Sequence, residues 1–464
     1  MNKTLPKAGD SSLRENPLER IFRQAMTPFE RFIQWESASG VMLMAAGLLA
    51  LVLANSALAH AFHELWETPF RIGMGNWMLE KSLHHWINDG LMALFFFLVG
   101  LEIKSEFMAG SLSSPRQAAL PMIAALGGMV VPALIYFAIN PHGDYATGWG
   151  IPMATDIAFA IGVLTLFGPR VPKPLLMFLV ALAIVDDLGA VVVIALFYTA
   201  ELNTDALALA AILLGALAIL NIANVRKPLP YAILGGLLWY AVLKSGVHAT
   251  VAGVLTAFLI PASSRFTQTE FSREVRGLMD RFDQSGCNQG RGMLACKDQA
   301  HMLETLQHGL HAMQPPLIRL EHFFALPVAF FIVPLFALAN AGVTLDAHAL
   351  AQTFSHAVPL GIILGLVVGK PIGITLFTWL SLKSGLTRLP EGVHMGHVFG
   401  AGLVGGIGFT MSIFIAELSF PGDPAVLALA KAGILAASVI AALLGALWFA
   451  RYPKPPHSRE SEHV

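Results

Sequence analysis

The chain has 464 residues, of which 55% are hydrophobic and 13% are charged, and its formal net charge is −1. Soluble domains contain about 25% charged residues, so this composition excludes a soluble protein and predicts one embedded in a membrane. A neutral chain lacks the basic face that nucleic acid requires, so we expect no nucleic-acid partner. Two cysteines exclude a disulfide scaffold. We see no cleaved signal peptide at the N-terminus, because a short apolar core and a small-residue cleavage site are missing.

Apolar runs near the spanning length of about 20 residues recur along the whole chain, and we count about twelve. They are residues 39–55, 86–101, 118–138, 149–167, 175–198, 206–222, 229–243, 246–260, 323–341, 357–380, 397–416 and 426–450. The seventh and eighth runs are short and poorly separated at Lys244. This pattern predicts an all-α polytopic membrane protein with about twelve transmembrane helices.

Positive charges alternate between the connections. Every second connection is basic, with Lys104, Arg116, Arg170, Lys173, Arg226, Lys227, Lys383 and Arg388. The intervening loops 140–148, 201–205, 343–352 and 417–424 contain no Lys or Arg, whereas the loop before the second span contains Arg71 and Lys81 but is long and mixed in charge. The positive-inside pattern therefore places the basic loops and both basic termini in the cytoplasm, which requires an even number of crossings.

Five regions follow from this topology. Residues 1–36 include apolar positions at helical spacing with arginines between them, which predicts a cytoplasmic amphipathic segment; a basic unstructured tail is the alternative. Residues 37–261 hold helices one to eight, 262–320 an extended cytoplasmic loop, 321–450 helices nine to twelve, and 451–464 a cytoplasmic tail. The long loop contains Cys287, Cys296, His301, His308 and His311. Their spacing matches no standard zinc pattern, which favours a mobile linker over a metal site.

Charged residues inside the apolar runs carry the functional prediction. Asp186 and Asp187 are adjacent in the fifth run, although a carboxylate at membrane depth costs roughly 2.5–3.5 kcal/mol on insertion scales. Neighbouring helix positions point about 100° apart, so one acid can pair with a cation while the other faces a water-filled cavity. Asp156 and Lys370 lie in two further runs, and Lys370 is the natural partner for the pair unless it snorkels to the surface. This cluster predicts cation and proton handling rather than a purely structural pair.

Glycine and proline interrupt two of the runs. Pro152 precedes Asp156 in the fourth run, and Gly405, Gly406 and Gly408 punctuate the eleventh. Such interruptions are typical of discontinuous helices in transporters built from inverted repeats, here spans three to five and ten to twelve. Asp156 would then offset the positive N-terminal ends of the broken helices, and Lys370 the negative C-terminal ends. Close helix packing is the alternative reason for the glycines.

A second group of titratable residues lies near the ends of the second and ninth runs. It comprises Glu102, Glu106, Glu321 and His322. His248 belongs to another part of the chain, and the same two interpretations given next apply to it. A carboxylate cluster with histidine is a plausible proton sensor. Solvated charges at helix ends are the alternative.

The loop between the first two spans has the pattern of a hairpin. Residues 70–72 and 77–79 flank Gly73 and Gly75, which predicts two short strands joined by a turn.

Five motifs together resemble the NhaA family of sodium/proton antiporters. They are residues 154–160 (Ala-Thr-Asp-Ile-Ala-Phe-Ala), 183–189 (Ala-Ile-Val-Asp-Asp-Leu-Gly), 244–250 (Lys-Ser-Gly-Val-His-Ala-Thr), 334–342 (Pro-Leu-Phe-Ala-Leu-Ala-Asn-Ala-Gly) and 405–412 (Gly-Gly-Ile-Gly-Phe-Thr-Met-Ser). The likeness runs from about residue 16 to residue 452. It implies a bacterial inner-membrane homodimer, joined through the hairpin, that exports Na⁺ or Li⁺ and admits more protons than it exports cations. We expect no cofactor.

The resemblance also assigns roles. It implies that Asp186 and Asp187 bind the transported cation and protons, with Thr155 lining the site. Asp156 and Lys370 would lie beside the crossing broken helices. Asp89 matches a further functional acid, and Glu102, Glu321 and nearby Glu106 match residues linked to the pH response.

Two departures and two rival functions qualify this reading. Ile318 and Ala325 stand where well-known members carry a lysine and a histidine, and the loop before the ninth span is expanded, so the resemblance does not set the pH threshold.

A sodium-coupled solute symporter would need organic-substrate contacts near Asp187, where we see no aromatic or arginine cluster. An intramembrane aspartyl protease would need two aspartates on different helices, one in a Gly-x-Gly-Asp setting. Both rivals are less consistent with the sequence than an antiporter, which is not an enzyme.

Overall fold

The computed structural model describes residues 38–74, 77–110, 112–199, 202–263, 268–284, 301–302, 304–306, 314–344 and 353–452. The predicted amphipathic segment 1–36 and nearly all of the tail 451–464 lie outside these residues. So do Cys287, Cys296, His308 and His311 of the long loop. The predictions made for them stay predictions.

The first half of the chain forms helices at each of the predicted runs. These elements are α1 (Ala38–Ala54), α2 (Ala59–Glu67), β1 (Pro69–Met74), β2 (Trp77–Ser82), α3 (Met92–Met108), α4 (Pro115–Ile139), α5 (Ile157–Thr165), α6 (Lys173–Phe197), α7 (Thr204–Ile222), α8 (Pro228–Ser245) and α9 (Thr250–Leu259). Helical turns at Leu83–His85 and Trp86–Leu91 precede α3, and the 3-10 helix Asp144–Met153 precedes α5. Gly246 ends α8 with a φ of +86°, and this left-handed residue separates the seventh and eighth runs.

The second half is also helical. Its elements are α10 (Gln268–Gln284), α11 (Pro316–Pro327), α12 (Val333–Asn340), α13 (Ala357–Leu364), α14 (Lys370–Lys383), α15 (Met395–Gly405), α16 (Phe409–Ser419) and α17 (Pro424–Arg451). Wider π turns at Val328–Ile332 and Gly365–Gly369 join α11 to α12 and α13 to α14. The ninth and tenth runs are therefore single continuous helical segments.

Membrane-spanning length and apolarity are met by seven helical segments among the described residues, and by nine if each of two bent pairs is one span. One bent pair is α1 with α2, at 114°, and the other is α15 with α16, at 50°. The remaining three runs are helical as well, at α3, α8 and α9. An all-α polytopic membrane protein is thus confirmed.

The fourth and eleventh runs are both broken near their middle. Between Met153 and Ile157 the backbone is not helical, and α15 stops at Gly405 before α16 starts at Phe409. Pro152 has no backbone N–H to donate, and Asp156 caps α5 by accepting a hydrogen bond from the Phe159 N–H at 3.0 Å. The predicted pair of discontinuous helices is confirmed.

Small residues bring α14 directly against α4. A Cβ on Gly127 would lie 2.3 Å from the Gly373 carbonyl oxygen, and one on Gly373 would lie 2.1 Å from the Gly127 carbonyl oxygen. Only glycine permits this backbone approach, as at other close contacts between membrane helices. The contact fixes the position of α14, and with it Lys370 in its first turn.

The predicted hairpin between the first two spans is present. Strands β1 and β2 pair antiparallel, with Pro69 opposite Ser82 and Met74 opposite Trp77. Arg71 and Glu80 are opposite one another, and their side chains form an exposed ion pair at 2.7 Å. Trp86 fixes the base of the hairpin by donating from its indole N–H to the Phe70 carbonyl oxygen at 3.1 Å.

Candidate functional site

The two broken helices cross at their breaks. The Asp156 N–H donates to the Ile407 carbonyl oxygen at 2.7 Å, and the Thr155 hydroxyl donates to the Gly405 carbonyl oxygen at 3.0 Å. On the far side of the crossing, the Ser412 hydroxyl donates to the Ile151 carbonyl oxygen at 2.8 Å. Each break leaves backbone groups without a partner in their own helix, and the other broken helix supplies hydrogen bonds to them. Without such partners, a break inside a membrane would be strongly unfavourable.

Asp156 compensates the positive ends of two short helices. Its Oδ1 accepts from the Phe159 N–H at the start of α5, and its Oδ2 accepts from the Thr410 N–H at 3.2 Å and the Thr410 hydroxyl at 2.5 Å at the start of α16. The side chain is only 2% exposed. A carboxylate at two helix N-termini offsets their partial positive charges. This is the position that the sequence predicted for Asp156.

Lys370 compensates the negative side of the same crossing. It is fully buried, and its ammonium lies 2.6 Å from Asp186 Oδ2. The same ammonium donates to the carbonyl oxygen of Met153, the last residue of the 3-10 helix. Pro371 cannot continue the backbone hydrogen-bond ladder, and a π turn precedes Lys370 at that point. Lys370 is thus paired rather than directed towards the membrane surface.

The two adjacent acids have different surroundings. Asp186 faces Lys370 and Thr155, and its Oδ1 has no hydrogen-bond partner within the described part of the chain. Asp187 is buried too, and no residue that the structure describes hydrogen-bonds its carboxylate; the charges acting on it are those of Asp186, Glu102, Asp156 and Lys370. Asp187 is therefore the acid whose carboxylate oxygens remain available to bind a cation.

The charge count of this centre is unbalanced. Asp156 is offset by two helix N-termini, whereas Asp186 and Asp187 are both buried and have the single buried ammonium of Lys370 to balance them. Uncompensated charge in a low-dielectric interior is strongly unfavourable. The centre therefore favours capture of a monovalent cation, or of protons, by the carboxylates that Lys370 does not neutralise.

Asp89 and His248 lie together in the structure. Asp89 Oδ1 is 3.5 Å from His248 Nε2, and the other ring nitrogen of His248 is 2.7 Å from the Thr250 hydroxyl. The Trp239 indole donates to the Asp89 carbonyl oxygen at 2.8 Å. Two residues that the sequence identified separately are thus neighbours across the second span and the loop before α9.

The predicted sensor group is brought together only in part. Glu106 and Glu321 lie close enough to Glu102 to act on it electrostatically. His322 instead lines a mostly apolar groove of about 1450 Å³ that also contacts Arg226 and Arg319. Helices α3 and α11 therefore form an acidic cluster of Glu102, Glu106 and Glu321, with the histidine turned towards the groove.

Thr410 is a site residue that the sequence reasoning missed. It supplies two of the hydrogen bonds that hold Asp156. A signal was available, because Thr410 directly follows the glycine break, in the first turn of a helix that runs into the crossing. Its partner Asp156 is distant in sequence, so the contact itself could not be read from the pattern.

Crossing broken helices among buried charges, in an all-α membrane protein, define the architecture of secondary transporters. A family model described as "Na+/H+ antiporter 1" matches residues 30–449. A protein of Saccharophagus degradans named Na⁺/H⁺ antiporter NhaA 1 is 50% identical over 94% of both chains. Relatives named Na⁺/H⁺ antiporter NhaA from Syntrophobacter fumaroxidans and Helicobacter pylori are 48% and 46% identical, over 94% and 90% of this chain and 92% and 94% of theirs. The chain belongs to the NhaA family of Na⁺/H⁺ antiporters.

Proposed function

We propose that this protein is a Na⁺/H⁺ antiporter that exchanges its ions at the Asp186–Asp187 pair. The observation that carries the proposal is the charge imbalance at the crossing, where the buried acids Asp186 and Asp187 share one buried lysine. The family of the chain and the names of its relatives support the same function. Neither a symporter nor a protease is favoured by these findings.

The exchange follows from competition for the same oxygens. A carboxylate that binds Na⁺ must be ionised, so the cation and the proton displace each other. Asp187 contacts the cation, because its carboxylate has no other hydrogen-bond partner among the described residues. Asp186 pairs with Lys370 in the proton-loaded part of the cycle. When Na⁺ leaves, Asp187 takes up one proton and Lys370 takes up a second as its pair with Asp186 re-forms, so two protons exchange for each Na⁺ and the exchange is electrogenic.

The remaining site residues hold the ion-binding groups in place. Asp156 and Thr155 hold the crossing, and Gly405, Gly406 and Gly408 form the break that lets α15 and α16 approach it. Li⁺ shares the charge and the oxygen preference of Na⁺, so we include it among the transported ions. Asp89 would act through its contact with His248. Glu102, Glu106, Glu321, His322 and His248 are the candidates for the pH response.

The cellular setting completes the proposal. The protein would lie in the bacterial inner membrane with both termini in the cytoplasm, since the basic loops alternate with loops that lack Lys and Arg. Within it, 1–36 and 451–464 would be cytoplasmic, 262–320 an extended cytoplasmic loop, and 37–261 and 321–450 the membrane parts. A homodimer of this kind would serve sodium and pH homeostasis.

The direct test is proton movement in proteoliposomes containing the purified protein. We expect Na⁺ and Li⁺ to collapse an imposed proton gradient and K⁺ to do so far less, with a membrane voltage developing during exchange. Uptake of an organic solute driven by Na⁺, with no proton counterflow, would contradict the proposal and favour the symporter. A proton gradient that neither Na⁺ nor Li⁺ dissipates at any pH would also contradict the antiporter.

A further inference from the structure

A second buried polar cluster lies at the other end of α16 from the ion site. The Lys431 ammonium is 2.5 Å from Glu417 Oε1, and His84 Nε2 is 3.6 Å from the same oxygen. His84 Nε2 also lies 2.9 Å from Asn340 Oδ1, and the Asn340 amide donates to Asn88 Oδ1 at 2.9 Å. Glu417 and Lys431 are each only 14% exposed. The exchange reaction described above uses none of these residues.

The cluster joins two different parts of the fold. Glu417 lies near the end of α16 and Lys431 in α17, both in the proposed second repeat, whereas His84 lies in the helical turn before α3 and Asn340 ends α12, outside both repeats. It sits at the end of the molecule where the loops 343–352 and 417–424 lack Lys and Arg. We call this the outer end, since the proposed topology places it outside the cytoplasm.

One face of α16 connects the ion site with this cluster. Thr410, Phe414 and Glu417 follow at spacings of four and three, so they share a face of the helix. Thr410 binds Asp156 at the site, and Glu417 binds Lys431 at the outer end. Between them Phe414 is 1% exposed. A cation leaving the site along this face must pass Phe414 and then Glu417.

Phe414 fills the level between site and cluster. Its ring centroid is 5.4 Å from that of Phe96, 6.0 Å from that of Phe336 and 5.3 Å from that of His248. Phe96 and Phe336 are fully buried, and both lie outside the repeats. The aromatic layer therefore excludes water and ions directly beneath the polar cluster.

We propose that Glu417, oriented by Lys431 and linked through His84 to Asn340, is an outer lock that holds the aromatic layer of Phe414 closed. Transporters with inverted repeats expose their site alternately by moving one bundle against the other. Such a movement would separate Glu417 from His84 and Phe414 from Phe336, while the Glu417–Lys431 pair moves as a unit. The inference rests on the proposed function, because a lock has a role only where the site must open to this side.

The first test measures access and needs no transport. A single cysteine reporter, Val333→Cys, is placed one turn before Phe336 in α12, beneath the intact aromatic layer, after Cys287→Ser and Cys296→Ser, and a membrane-impermeant thiol reagent is added from the outer side. Removing the Glu417 charge weakens its 3.6 Å contact with His84, which joins the two parts of the fold, and we expect this to shift the opening equilibrium about tenfold. We therefore expect Glu417→Gln to raise the labelling rate about tenfold, and Lys431→Met to act in the same direction. The control Glu80→Gln removes an exposed pair at the same end and should leave the rate unchanged.

Equal labelling rates with and without Glu417→Gln would overturn the lock. This outcome is distinct from failure of the proposed function, since labelling is read in the absence of any ion gradient. Labelling rate and melting temperature together also separate a lock from a general packing role. Loss of packing would lower the melting temperature, but it would not make the reporter cysteine accessible specifically from the outer side.

The second test closes the lock covalently. In the same cysteine-free background, His84→Cys with Glu417→Cys is bridged by a short bifunctional thiosulfonate reagent. We expect Na⁺-driven proton flux to stop and to return on reduction. Bridging Arg71→Cys with Glu80→Cys, whose parent side chains are 2.7 Å apart in the hairpin, should leave flux unchanged. If the bridged 84–417 variant exchanged ions as well as its reduced form, the two bundles would not separate here and the proposal would be wrong.

Discussion

At the scale of single residues, the site is a set of unequal acids arranged around one base. Asp186 and Asp187 are adjacent in sequence, yet only Asp186 is bound by Lys370 in the structure. Position on the helix decides this difference, because the two side chains leave the backbone about 100° apart. The same asymmetry lets one carboxylate hold the lysine while the other remains available for Na⁺.

Lys370 should matter chiefly through its charge. Lys370→Ala leaves Asp186 and the Met153 carbonyl without their buried partner, and breaking such a pair costs roughly 3–5 kcal/mol. We expect this variant to melt at a lower temperature and to transport poorly. Lys370→Arg keeps the charge and should retain partial exchange. The measurements are proton flux and melting temperature of both variants beside the parent protein, and parent-like behaviour of Lys370→Ala would refute the paired-charge centre.

Thr410 should stabilise the site through the charge that it contacts. Thr410→Val removes a 2.5 Å hydrogen bond to a carboxylate, a type worth about 1.5–3 kcal/mol. The matched control is Thr256→Val in α9, a buried hydroxyl that donates to the neutral Ala252 carbonyl oxygen, where the expected loss is about 0.5–1.5 kcal/mol. Denaturation in detergent compares the two free energies of unfolding. Equal losses would mean that Asp156 does not depend on Thr410.

The sequence predicted single residues better than it predicted their contacts. The buried charges and the breaks were readable, because ionisable groups, Gly and Pro are rare and costly inside apolar spans. The neighbours of Asp89 and Glu417 were not, since His248 and His84 are far away in sequence and no local pattern encodes the pairing. For the same reason His322 was grouped with Glu321 by sequence proximity, although its side chain faces an apolar groove.

At the scale of elements, the broken helices depend on close backbone contact as well as on charge. Gly406 directly follows α15 and has a φ of −69°, which any residue can adopt. The backbone conformation therefore does not require glycine at this position. A Cβ at Gly406 would instead lie 2.5 Å from the Leu366 carbonyl oxygen, in the π turn before Lys370. Close packing and helix interruption, which the sequence left as alternatives, thus occur together at this position.

Two adjacent glycines offer a test of this contact. Gly406→Ala forces backbone apart and should destabilise the protein by about 1–3 kcal/mol, with reduced transport because Lys370 is displaced. Gly405→Ala is the matched control, since its nearest neighbour would be the Ile374 side chain at 3.5 Å, an ordinary contact. Melting temperatures and proton flux of the two variants decide the matter. A larger effect at position 405 would show that the contact between Gly406 and the π turn at Leu366 is wrong.

At the scale of the whole molecule, the hairpin of β1 and β2 is the element that offers unpaired strand edges to a second protomer. Only two strands are present in the described chain, so each strand has an unpaired edge. Two-stranded hairpins are marginal alone, and their edges readily pair with another chain. Together with the resemblance to dimeric family members, this leads us to propose that two protomers join through their hairpins.

Deleting residues 72–78 should therefore give monomers that still exchange ions, because the deletion leaves every helix of the site intact. The double variant Arg71→Ala with Glu80→Ala keeps the hairpin and serves as the control that should remain dimeric. Light scattering in detergent reports the mass, and proteoliposomes report the activity. An unchanged dimer after the deletion would place the protomer contact elsewhere.

The most direct test of exchange at the paired aspartates is Na⁺-driven proton flux by Asp187→Asn in proteoliposomes. The substitution keeps the size of the side chain and removes the charge that Na⁺ requires, so we expect exchange to be abolished while the melting temperature stays near that of the parent. Asp186→Asn should be severely impaired as well, through loss of its pair with Lys370. Normal Na⁺-driven proton flux in Asp187→Asn would contradict the assignment of the ion site.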